Sequence, residues 1–139
     1  MNIKRLVLAI VVGFVVIFGT DFLIHALWLH SDYDATKELW RPEAEMHARF
    51  HWMLIAQFLC AAVFVIIWAQ GFAGRGMGAA VAFGLLMGTA MQIWVIINHV
   101  VSPVPGILAA KWFFSGLAQA VLLGLVTAAI YKPATPAAP

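Results

Sequence analysis

From Leu6 to Leu29 the chain is apolar except at Thr20, Asp21 and His25, and a run of that kind leaves few folds open. At 1.5 Å per residue a helix over it reaches across a hydrocarbon core of roughly 30 Å. Inside such a core each backbone N–H and C=O must be bonded within the chain, so the run is expected to be helical. Three more apolar runs follow, at about 50–70, 77–101 and 107–131. The expected fold is therefore all-α: a polytopic membrane protein, an antiparallel four-transmembrane-helix bundle forming one domain over 1–139. The first span covers about 6–29, a short surface helix lies between spans 1 and 2, and residues 133–139 form a disordered Pro/Ala tail.

Composition agrees, since 64% hydrophobic and 10% charged residues fall outside the soluble globular range. Mean hydropathy is +0.96. The net charge of +2 comes without a basic run, which excludes a nucleic-acid partner. The single cysteine, Cys60, lies mid-span and offers neither an internal disulfide nor a metal motif. Lys4 and Arg5 ahead of an apolar run resemble the start of a signal peptide. The run continues past the usual length of such a core with no small-x-small cleavage site, so the expectation is an uncleaved anchor.

Between the first two spans, Ser31 to Arg41 is a polar connector whose Tyr33 and Trp40 suit the headgroup region. Pro42 is placed to open the second helix, read to about Gln70, with a polar overhang of about two turns carrying Glu43, Glu45, His47 and Arg49. Gly71 to Gly76 form a tight reversal. Gly84, Gly88 and Gln92 recur every four residues on the third span, and Gly116, Ala120 and Gly124 do so on the fourth, which marks both as close-packing faces. Lys4, Arg5, Arg75 and Lys132 fall on one side of four spans. Lys37, Arg41 and Arg49 fall on the other, diluted by five acids, so both termini are expected in the cytoplasm.

Asp21 and His25 are the residues that apolar packing does not explain. An ionisable group in hydrocarbon costs roughly 2.5–3.5 kcal/mol, so it faces a bundle interior or a wet cavity and has a partner. Each span carries one polar stripe at helical spacing: Asp21 and His25; Glu43, His47 and His51; Gln92 and His99; Lys111, Ser115 and Gln119. Facing one another, the stripes would form an outward-opening pocket of Asp21, His25, His51, Gln92, His99 and Lys111. Gln57 lies off its stripe and falls outside this set.

Several chemistries compete for these residues. The structural reading pairs Asp21 with Lys111. A metal site would use Glu43, His47 and His51, with His25 or His99 added from a neighbouring helix, a set that suits zinc or copper. Haem held by His25 and His99 is a further option. A proton or small-solute path through Asp21 and His25 has only Gln119 and Thr127 as polar steps below it. Hydrolysis finds no support, because Ser115 has no histidine in reach and no Gly-x-Ser-x-Gly elbow is present. Five of the six tryptophans fall near span ends as an interfacial belt, while the deeper Trp94 is expected to pack inside the bundle.

Asp21-Phe22-Leu23-Ile24-His25, Trp40-Arg41-Pro42, the glycine-rich third span and Ser102-Pro103-Val104-Pro105 before a span with Trp112 carry a resemblance. The chain resembles small uncharacterised four-span bacterial inner-membrane proteins grouped as domains of unknown function. The resemblance covers most of the chain and implies a bacterial cytoplasmic (inner) membrane setting; it supplies no activity. The leading expectation is a non-enzymatic integral membrane protein, an accessory or assembly component of a membrane complex or homo-oligomer, whose small-residue faces pack on a partner. A metal- or haem-binding protein comes second and a proton or small-solute transporter third.

Overall fold

A computed structural model describes residues 2–133. Most of the expected tail, 134–139, therefore lies outside the described residues. The chain is 86% helix, without strands among the described residues. Four helices are long and apolar enough to cross a membrane: Ile3–Trp28, Phe50–Gly71, Gly76–Val101 and Gly106–Ile130. They begin and end within a few residues of the apolar runs. Composition decides this, because an uninterrupted run of apolar residues can satisfy its backbone only as a helix.

The first of these helices has two parts. Helix α1, Ile3–Asp21, is capped by the Asn2 side chain, which accepts from the Arg5 N–H. From Phe22 to Trp28 the backbone changes to π geometry, ending where the Leu29 N–H bonds the Ile24 carbonyl five residues back. Such turns are rare and recur at functional sites. The connector follows as α2 (His30–Ala35), a 3₁₀ turn (Lys37–Leu39) and α3 (Glu43–Ala48).

The overhang expected to continue the second span does not do so. Arg49, with φ −103° and ψ 3°, separates α3 from α4 (Phe50–Gly71). Its guanidinium turns back to bond the Glu45 carboxylate and carbonyl at 3.2 and 3.1 Å. Helices α5 (Gly76–Val101) and α6 (Gly106–Ile130) complete the chain. The reversal before α5 uses Gly74 and Gly76 at φ +85° and +83°, conformations that other residues adopt only with strain.

Helix α1 packs on α4 and α6, and α5 lies along α6. The α5–α6 approach is the tightest in the molecule. A Cβ on Gly84 would stand 2.6 Å from the Val121 Cα, and one on Gly124 would stand 2.6 Å from the Ala80 carbonyl oxygen. The small-residue rows of the two helices therefore meet each other within one chain, and that face is not free for a second copy. Arg5 Nη1 donates to the Ile130 carbonyl at 3.2 Å, placing the start of α1 beside the end of α6. Around this terminal end lies the main core, built on Leu6, Ala9, Ile17, Ala61, Phe64, Val65, Trp68, Phe83 and Leu123. A smaller core at the connector end joins Leu29, Val104, Leu108 and Ala109. Trp94 does not pack inside as expected: it is 62% exposed on the outer face of α5.

Candidate functional site

Asp21 sits where α1 gives way to the π segment, between the two cores. Its carboxylate is held by amides from two other long helices. Gln57 Nε2 of α4 donates to Oδ2 at 2.5 Å, and Gln119 Nε2 of α6 donates to Oδ1 at 2.7 Å. Gln119 Nε2 also lies 2.6 Å from the Thr20 hydroxyl and 3.3 Å from the Ile17 carbonyl. A hydrogen bond to a charged group is worth roughly 1.5–3 kcal/mol, so two of them offset the roughly 2.5–3.5 kcal/mol that the carboxylate costs in hydrocarbon. No counter-ion is needed. Among the described residues none of the ion pairs involves Asp21.

This corrects the expected partner, because Lys111 is committed elsewhere. Its ammonium bonds both carboxylate oxygens of Asp32 in α2, at 2.7 and 2.8 Å, and lies 5.8 Å from the centre of the Trp28 ring. The connector folds back over the long helices and brings Asp32 within reach. Reading depth along straight helices does not foresee that return.

Two cavities flank Asp21 and His25. One, of about 250 Å³, lies against α5 and α6 and is lined by Gln92, Trp112, Ser115, Gly116 and Gln119 as well as the pair. The second, of about 340 Å³, lies against α4 and is lined by Phe18, Phe22, Ala26, Phe50, Met53 and Gln57 with the same pair. One wall is polar and the other aromatic. Gln57 is only 7% exposed, and with its N–H on Asp21 its Oε1 is left buried without a donor.

His25 belongs to a second hydrogen-bonded group. Tyr33 of α2 lies 2.5 Å from His25 Nδ1, the two rings stack at 6.0 Å, and Trp112 Nε1 donates to the Tyr33 oxygen at 2.8 Å. An indole N–H can only donate, so the phenol oxygen accepts there; toward His25 the phenol donates when Nδ1 is unprotonated. In that tautomer His25 carries its proton on Nε2. Burial pushes the Tyr33 pKa up from 10.0; donation from Trp112 opposes this, and the charges of Asp32 and Asp21 add to it. The phenol therefore stays protonated at neutral pH.

Of the six pocket residues read from the sequence, Asp21, His25 and Gln92 line the shared polar cavity. Gln92 reaches over Gly116, where a side chain would collide with it. Lys111 lies nearby in its pair with Asp32, and the other two residues stand apart. His51 is exposed and packs on Trp52 with ring centres 5.3 Å apart. His99 Nδ1 donates to the Val104 carbonyl at 2.8 Å, holding the loop before α6.

The proposed metal ligands are likewise dispersed. Glu43 and His47 pair at 3.4 Å on exposed α3, but the break at Arg49 interrupts the stripe that would carry it to His51. His25 faces Tyr33 and His99 faces Val104. Among the described residues no three His, Cys, Asp or Glu side chains come together as a metal site requires.

Comparison with protein-family models, with curated proteins and with solved structures finds no match. The site's chemistry is that of an acceptor: a carboxylate oriented by two amides, an imidazole, Gln92 and Ser115 around a small polar space, with an aromatic wall behind.

Sequence reasoning missed Gln57, Tyr33 and Asp32 as members of the site. Gln57 shares the buried face of α4 with Ala61, Phe64 and Trp68 at helical spacing. That signal is present in the sequence, but α4 is apolar on every side and no polar face marks which one turns inward.

Proposed function

We propose that this chain is a non-enzymatic, multi-pass protein of a bacterial inner membrane that binds a cation at Asp21, as the outward-facing site of a proton or small-solute transporter. The observation that carries the reading is the Asp21 carboxylate, which two amides from α4 and α6 orient between two cavities without a cationic side chain on it. An ionisable group within a membrane span is by default a functional-site candidate, and ion and proton paths are among the roles it serves. The π turn beside it adds support.

In this reading the four spans run antiparallel as a bundle, both termini are cytoplasmic, and the connector with α2 and α3 lies on the outer surface. The placement of Lys4, Arg5, Arg75 and Lys132 supports that orientation. In that orientation the terminal-end core lies between the site and the cytoplasm. The accessory reading drew on free small-residue faces; with those faces buried between α5 and α6, the transporter reading is the better supported.

The test is solid-supported-membrane electrophysiology on proteoliposomes, with steps in methylammonium, potassium or pH. The wild-type chain should give a charge displacement with at least one of these, and Asp21→Asn should reduce it roughly tenfold. Equal displacements in the two proteins, or none in the wild type, would overturn the proposal.

A further inference from the structure

We infer that the aromatic cavity between α1 and α4 binds a lipophilic amine in its protonated form, with the ammonium on Asp21 and the apolar body among Phe18, Phe22, Phe50 and Met53. The inference rests on the cation-binding reading above and names the class of cation.

Three observations support it. The charge is complementary and uncommitted, since Asp21 lines this cavity and meets only amide N–H groups. Apart from Asp21, His25 and Gln57 the lining is Phe18, Phe22, Ala26, Phe50 and Met53. Rings attract a cation through their faces and bury its hydrocarbon, so this wall suits an organic ammonium better than a strongly hydrated metal ion, which takes roughly six or more oxygen ligands. Third, Gln57 lines the same cavity, is more than nine-tenths buried and has an Oε1 that accepts nothing. A protonated amine brings N–H donors for Asp21, and for that oxygen once the Gln57 side chain turns it toward the cavity. A quaternary ammonium has none to bring, and a neutral alcohol lacks the charge.

Size and access fit as well. A volume of about 340 Å³ lies within the roughly 300–1,000 Å³ of small-molecule sites. Phe18, Phe22, Phe50 and Met53 are 41–55% exposed, so the cavity opens sideways between the helices, where the bilayer lies in the reading above. An amine dissolved in the membrane interface reaches Asp21 by that route without crossing the connector.

The test is a binding titration of 2-naphthylmethylamine to the full chain in lipid nanodiscs, with empty nanodiscs subtracted. Saturable binding is expected, with 2-naphthylmethanol and the Asp21→Asn chain each roughly tenfold weaker. The trimethylammonium analogue should be weaker by a smaller factor. Phe22→Ala, at an exposed position away from the amide bonds, should weaken binding while leaving the melting temperature unchanged. That variant keeps the test decisive if Asp21→Asn fails to fold.

Equal binding of amine and alcohol would overturn the inference and identify the cavity as a seat for an uncharged lipid tail. No saturable binding would overturn it as well. If Asp21-dependent charge displacement persists with methylammonium, potassium or pH while the naphthyl amine does not bind, the substrate class fails and the cation site stands.

Discussion

The two ends of the molecule are built on opposite principles. At the terminal end, helices meet through glycine and alanine, and aromatic rings pack beside them: the Phe64 ring centre lies 4.7 Å from that of Phe83, and that of Trp68 5.5 Å from it. At the connector end a smaller apolar core is joined by hydrogen bonds and an ion pair, and cavities flank Asp21. In hydrocarbon no hydrophobic force draws helices together, so close packing must supply the attraction. The terminal end does most of this, which leaves the connector end able to hold charged groups and space.

The most severe way to break this division is to insert a side chain into the α5–α6 contact. Gly84→Val should cost about 3 kcal/mol or more, since its Cβ meets backbone that cannot move aside. Thermal unfolding in detergent should show a large fall in melting temperature. An unchanged value would mean that the two helices can separate freely.

A smaller effect is expected from the ion pair. Lys111 and Asp32 side chains are 30% and 20% exposed, so Lys111→Met should destabilise by about 1–2 kcal/mol, less than a fully buried pair. Adding Asp32→Asn should restore most of the loss, and a double-mutant cycle measures the coupling. Strict additivity of the two changes would show that the pair does not hold the connector.

The smallest effect, about 1 kcal/mol at neutral pH, is expected for Tyr33→Phe, which removes the acceptor of Trp112 and the donor to His25. Its sharper signature is pH dependence. Because the folded pKa is raised above 10.0, the unfolded phenol ionises first as pH rises. The stabilisation is complete below about 10 and is lost as pH climbs through the folded value. Stability against pH should fall more steeply for the wild type than for Tyr33→Phe in that alkaline window, with tyrosinate absorbance separating Tyr33 from Tyr131. Parallel curves would place the Tyr33 hydroxyl in water.

What the sequence disclosed follows the same division. The four apolar runs were legible because backbone satisfaction in hydrocarbon admits one local answer. The small-residue rows were legible as contact faces, but Gly84 and Gly124 look the same whether they meet a neighbour in the chain or another copy. Asp21 stood out because an ionisable group there is costly. Its partners did not, because Gln57 and Gln119 are uncharged and a search for a counter-charge leads to Lys111. The metal stripe assumed a continuous helix from Pro42 onward, and Arg49 interrupts it with a turn that no glycine or proline announces.

The π segment has a consequence beyond marking the site. An α-helix acts as an angular ruler, and each residue advances the next side chain by a fixed step about the axis. With bonds reaching five residues back, Phe22–Trp28 carries more residues per turn and changes the phase of the ruler. Residues up to Asp21 keep the phase that meets α4 and α6. Those after Trp28 are offset from it, and with that offset Leu29 is fully buried while Asp32 and Tyr33 in α2 reach Lys111 and Trp112 of α6. Seven residues of altered pitch thus let one strand of chain serve two different registers, one for the membrane helices and one for the connector that folds over them.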